Sequence, residues 1–218
     1  MARPVSSSDA VAGARRPLLA RVLAGGTDGN EQLTALNGVL LLGLLAALGV
    51  TIVRIGQMLN AHMFLGMLLL GPVALKMGST GYRFVRYYAG NDAYRLKGPP
   101  PIELRLLAPL VVVLTVAVFG TGVALLLVGP EHRGILGSLH KIAFIAWLAV
   151  TALHVLGHLV ELPRALAAAA RRDPAWDDQG AGRGSRALLL ASAIAGGLII
   201  AFVAESQFGV WANYHHHG

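Results

Sequence analysis

Five apolar runs, each about twenty residues or longer, dominate this 218-residue chain. They cover roughly 33–55, 58–78, 104–129, 136–161 and 186–206. As a helix, each is long enough to cross a hydrocarbon core about 30 Å thick. Lipid offers no partner to a backbone N–H or C=O, so a spanning segment must satisfy its own backbone, and a helix does so. The runs therefore predict an all-α, integral membrane helical bundle with five transmembrane helices. Composition agrees: 55% of residues are hydrophobic and 13% charged, outside the range of a soluble domain. Little length remains for a second folded domain.

The basic residues orient these spans. Arg3, Arg15, Arg16 and Arg21 precede span one, and Lys76, Arg83, Arg86, Arg95, Lys97 and Arg105 cluster between spans two and three. Arg164, Arg171, Arg172, Arg183 and Arg186 follow span four. With alternating spans all of these fall on one side, and only Arg54, Arg133 and Lys141 fall on the other. The positive-inside rule then predicts a multi-pass cell-membrane protein with a cytoplasmic N-terminus and an external C-terminus. The divisions that follow are a disordered cytoplasmic arm (1–32), a four-helix membrane domain (33–162), a cytoplasmic linker (163–185), a peripheral fifth helix (186–206) and an external tail (207–218). The arm has no sustained apolar core of a secretory signal. The net charge of +7 is accounted for by topology, so nucleic acid is not an expected partner; the lipid bilayer is. Cysteine is absent, which excludes disulfides, thiolate metal sites, iron–sulfur ligation and covalent c-type haem attachment.

Histidine is the residue type most in need of explanation on these spans, because ionisable groups at membrane depth are costly and usually functional. His140 and His154 are fourteen residues apart on span four. That is nearly four helical turns, so the two imidazoles share a face ~21 Å apart along the axis. His62 lies near the start of span two, which runs parallel to span four, so His62 and His140 are expected at matching depth near the outer surface. Neutral imidazole is a common axial ligand of haem iron. Two helices facing each other across a porphyrin, one histidine from each, make such a site. Arg54 and Arg133 lie near the same depth and suit the two haem propionates, although ordinary snorkelling serves them equally.

His154 is a candidate for a second haem iron, but its partner is open. Fourteen residues beyond His62 stands Lys76, expected to snorkel to the headgroups, with Met77 beside it. His154 and His158 are also i, i+4 neighbours that can share a metal, and His158 with Glu161 can handle protons at a quinone pocket. Glycines on spans one to three (Gly38, Gly43, Gly49, Gly66, Gly71, Gly120 and Gly122) and Gly196 and Gly197 on span five suit close helix packing. The stretch 79–101 combines tyrosines with Arg and Lys and predicts an interfacial continuation of span two, with a turn at Asn91 and Asp92.

The histidine pattern resembles the cytochrome b superfamily, which includes the cytochrome b of respiratory bc complexes, cytochrome b561 and the cytochrome b subunits of formate dehydrogenases and hydrogenases. In the bc type, two parallel helices each carry histidines at this fourteen-residue spacing. Here His62, His140 and His154 occupy three of four such positions, and Lys76 stands at the fourth. The stretches GPVALKMGSTGYRFVRYYAG and LHKIAFIAWLAVTALHVLGHLVE also look like small actinobacterial-type membrane proteins of this group, a likeness covering roughly 33–162. The resemblance implies a four-helix haem-binding core from spans one to four. It also implies haem b (one at His62 and His140, a second at His154 left open) and electron transfer between a membrane quinone and a redox protein partner, alone or within an oligomer.

Two other classes remain. A non-haem assembly partner or small transporter would use the histidines structurally or as proton relays. A copper- or zinc-handling protein would use His154, His158 and the tail histidines His215, His216 and His217.

Overall fold

The computed structural model describes residues 26–96, 98, 102–159 and 183–215. Every regular element among them is helical: α1 (Gly26–Val53), α2 (Ile55–Tyr88), α3 (Asp92–Leu96), α4 (Ile102–Val128), α5 (Gly134–Leu159), α6 (Arg183–Ala204), a 3-10 turn (Glu205–Gln207) and α7 (Phe208–His215). Five helical segments are long and apolar enough to cross a membrane: Gly29–Val53, Ile55–Tyr88, Arg105–Val128, Gly134–Gly157 and Gly184–Tyr214. The chain thus forms the expected all-α bundle of a multi-pass membrane protein.

α1 and α2 join through a break at Arg54, where φ −118° and ψ 37° leave the helical region, and Met58 (φ −121°, ψ 25°) adds a kink at the start of α2. The Arg54 carbonyl accepts from the amides of Gln57 and Met58, each at 2.9 Å, which closes the turn. The helices then run antiparallel, joined by a polar seam. Asn30 Nδ2 donates to the Ser79 carbonyl (3.2 Å), and Thr34 Oγ1 bonds Ser79 Oγ (3.1 Å). Asn37, fully buried, donates through Nδ2 to the Pro72 carbonyl (2.8 Å). Asn30, Thr34 and Asn37 recur at helical spacing, so one face of α1 carries all three.

α6 packs along the other side of α2, and this is the most extensive helix pairing in the bundle. Span five is therefore not peripheral, as its apolar sequence suggested; it is a main neighbour of span two. Glycine is the reason. A Cβ on Gly197 would collide with the Leu68 carbonyl, and one on Gly71 with the Ala193 carbonyl and, at 2.8 Å, with the Gly197 nitrogen. Pro72 strengthens the match, because it lacks the N–H that would bond the carbonyl four residues back, which is that of Leu68. Gly197 sits against that carbonyl, where a weak Cα–H···O contact is geometrically available. Gly196, beside it in sequence, faces open space.

Beyond α6 the chain does not trail off as an external tail. The 3-10 turn leads into α7, whose Phe208 and Trp211 are buried in one cluster with Met67, Leu68, Leu126 and Ala201. Phe64 and Phe202 meet edge to face at 5.4 Å just below.

α4 and α5 form a separate antiparallel hairpin, reversed at Gly129 (φ +78°) and pinned by Trp147 Nε1 donating to Thr115 Oγ1 at 2.9 Å. The hairpin meets the α1–α2–α6 group through limited contact between α2 and α4. The outer face of α5 exposes Ile135, Leu139, Ile142, Ile145, Leu153 and Leu156, as a lipid-facing helix does. At the far end α2 continues as expected through its tyrosines. Gly90 (φ +84°) turns the chain into α3, and Tyr94 packs edge to face on Tyr82 at 6.1 Å.

Candidate histidine site

His62 lies roughly two turns into α2 and His140 roughly two turns into α5. Both are half-buried, at the end of the bundle that holds the α1–α2 break and the α4–α5 turn. The helices that carry them do not pack closely against each other: α2 is held by α1 and α6, and α5 by α4. The two histidines thus lie at one end of the bundle, on two different helix groups.

Each ring is held by a threonine on a neighbouring helix. His62 Nδ1 lies 3.2 Å from Thr51 Oγ1 on α1, and His140 Nδ1 lies 3.1 Å from Thr121 Oγ1 on α4. Thr51 is 2% exposed, so this contact is inside the bundle. Gly122 borders the second pair: a Cβ there would approach His140 Cε1 to 3.1 Å, so the ring occupies space a side chain would take. Neither threonine stood out in the sequence. The available signal was a hydroxyl at the depth of each histidine, eleven residues before His62 and nineteen before His140.

No family model, curated protein or solved structure matches this chain.

The candidate propionate partners lie at the same end. Arg54 is exposed at the α1–α2 break. Arg133 places its guanidinium over the Tyr214 ring at 5.1 Å, a cation–π contact that ties α7 to the start of α5. The guanidinium edge still carries donors in this arrangement.

The inner position differs from expectation. Lys76 does not snorkel outward. Its Nζ turns onto α1, donating to the Thr34 carbonyl at 2.9 Å, and lies against Gly38. It is thereby committed to α1. His154 is half-buried on the same α5 face as His140, the face turned to α4. The side chain of His158, and Glu161, His216 and His217, lie outside the described residues, as does the side chain of His215. Among the described residues no group of three or more His, Cys, Asp or Glu comes together.

The donors present fit a bis-imidazole haem site. They are two imidazoles from different, loosely packed helices, each tied at Nδ1 by a hydroxyl that leaves the other ring nitrogen for a metal. Such a partner on the far ring nitrogen is characteristic of metal-ligating histidine.

Proposed function

We propose that this chain is a b-type membrane cytochrome that carries electrons between a membrane quinone and a partner redox protein. His62 and His140 would supply the axial ligands of one haem. The observation that supports this reading is the placement of the two histidines at one end of the bundle on two helix groups, each ring steadied at Nδ1 by a threonine. The bound haem would supply the one-electron redox change. The protein's part is positional. α2 and α5 fix the two ring nitrogens, the apolar spans restrict water, and Arg54 and Arg133 offer cations to carboxylates at the outer end. In this reading the haem lies toward the external face of the cell membrane, with the N-terminus in the cytoplasm, consistent with the basic residues on the opposite side. The commitment of Lys76 to α1 favours a single haem over two.

Purified protein, expressed with added haem precursor, should give a dithionite-reduced b-type spectrum and a haem-to-protein ratio near one. His62→Ala and His140→Ala should each abolish that spectrum, and His154→Ala should keep it. A haem-replete preparation with no b-type spectrum overturns the proposal and leaves the histidines to structural or proton-relaying work. A ratio near two overturns the single site.

A further inference from the structure

Thr51 and Thr121 do more than fill space beside the histidines. A threonine hydroxyl has one hydrogen to donate. Thr51 Oγ1 donates it to the Leu48 carbonyl at 2.6 Å. Thr121 Oγ1 donates to the Ala117 carbonyl at 2.7 Å, with the Val118 carbonyl at 3.1 Å sharing the bond. Carbonyl oxygens only accept, so each hydroxyl hydrogen is committed to its own helix. Such back-bonding by threonine to the preceding turn is a standard alternative for this side chain within helices. The oxygen then has only lone pairs to offer the imidazole. His62 Nδ1 at 3.2 Å and His140 Nδ1 at 3.1 Å can bond those oxygens only by donating.

We infer that Thr51 and Thr121 are positioning residues that hold His62 and His140 as Nδ1–H tautomers, leaving each Nε2 as a lone-pair donor to a metal. The two halves of the site repeat one device on different helix pairs: α1 serves α2, and α4 serves α5. A hydrogen-bond acceptor on the far nitrogen fixes the tautomer and ring orientation and raises ligand basicity. The tautomer assignment stands on the hydrogen bonds alone; its consequence for the iron rests on the haem reading proposed above.

The two are tested separately. In the full-length, haem-free protein labelled with 15N-histidine, long-range nitrogen–proton spectra at neutral pH report which ring nitrogen is protonated. His62→Ala and His140→Ala assign the signals. Both rings are expected to carry the proton on Nδ1. Thr51→Val, close to isosteric, should turn the His62 ring alone into a tautomer mixture; Thr121→Val should shift the His140 ring alone, and less, because the Val118 carbonyl remains beside that ring as a second acceptor. Thr→Ser at either position should restore the pure form. An Nε2–H tautomer in the parent protein, or rings indifferent to both valines, overturns the inference.

In haem-loaded protein, each valine variant should keep the b-type spectrum but raise the midpoint potential, because a less basic imidazole favours the reduced iron. Serine should return it. An unchanged potential overturns the tuning role. If no haem loads, the proposed function fails while the nitrogen spectra still decide the tautomers.

Discussion

At the residue scale, Lys76 and Asn37 each have an identifiable partner on the facing helix, and the partners set what a substitution costs. Lys76 and Asn37 lie one turn apart along the α1–α2 seam but differ in kind. A charge costs about 2.5–3.5 kcal/mol at the centre of a membrane helix on insertion scales, and Lys76, toward the end of span two, bears part of that cost. A hydrogen bond between membrane helices returns only about 0.6 kcal/mol on average. The bond from Lys76 to the Thr34 carbonyl therefore does not offset its charge, and Lys76→Met should leave thermal stability in detergent unchanged or raised. Asn37→Ala removes a buried donor from the Pro72 carbonyl with no charge to relieve. It should lower stability by about 0.6–1.7 kcal/mol, read from the same melting curves. Gly122→Ala tests the outer site, since its Cβ would press on His140 at 3.1 Å. The expected result is a shifted haem spectrum or lowered haem retention with little change in fold.

At the element scale, the pairing of α2 with α6 depends on where glycine lies rather than on how much glycine is present. Gly196 and Gly197 are neighbours in an apolar run, and nothing in that run separates their roles. Facing Leu68, only Gly197 is close enough for a Cβ to collide with backbone. A backbone carbonyl cannot swing aside as a side chain can, so the helices must separate. Gly197→Ala should therefore lower the melting temperature of the purified protein clearly, whereas Gly196→Ala should be neutral. Equal effects from the two substitutions would contradict the packing described. The same reasoning divides the glycines of the earlier spans: Gly71 is a close contact, whereas Gly43, Gly49 and Gly66 face open space. The α1–α2 seam was partly legible, because Asn30, Thr34 and Asn37 recur at helical spacing. Their partners Ser79 and Pro72 were not, since antiparallel register is fixed only when the helices dock.

For the whole molecule, two helix groups share one end. The α1–α2–α6 group and the α4–α5 hairpin touch through limited contact between α2 and α4, and α7 closes over their common end. Phe208 and Trp211 bury themselves against residues of both groups, Met67 and Leu68 from one and Leu126 from the other. Trp211→Ala should thus loosen the relation between the groups, costing on the order of a few kcal/mol if the site collapses no better than a soluble core. Thermal unfolding in detergent checks the stability. On the proposed haem reading, the haem content of the same variant checks whether the placement of His62 relative to His140 depends on that closure.

The sequence by itself determined the helical class and the number of candidate spans, and it singled out His62 and His140. These follow from local and one-dimensional properties: apolar length against bilayer thickness, backbone self-satisfaction, the distribution of basic residues, and residue rise along a helix. Tertiary structure decided the rest. It made span five a main neighbour of span two, packed Phe208 and Trp211 into the core, turned Lys76 onto α1 and set a threonine beside His62 and another beside His140. Those outcomes depend on helix rotation and register between segments distant in sequence. Hydropathy is blind to rotation, and a lysine has the same pattern whether its stem runs to the headgroups or to a neighbouring carbonyl. Only docking brings an oxygen within about 3 Å of a ring nitrogen.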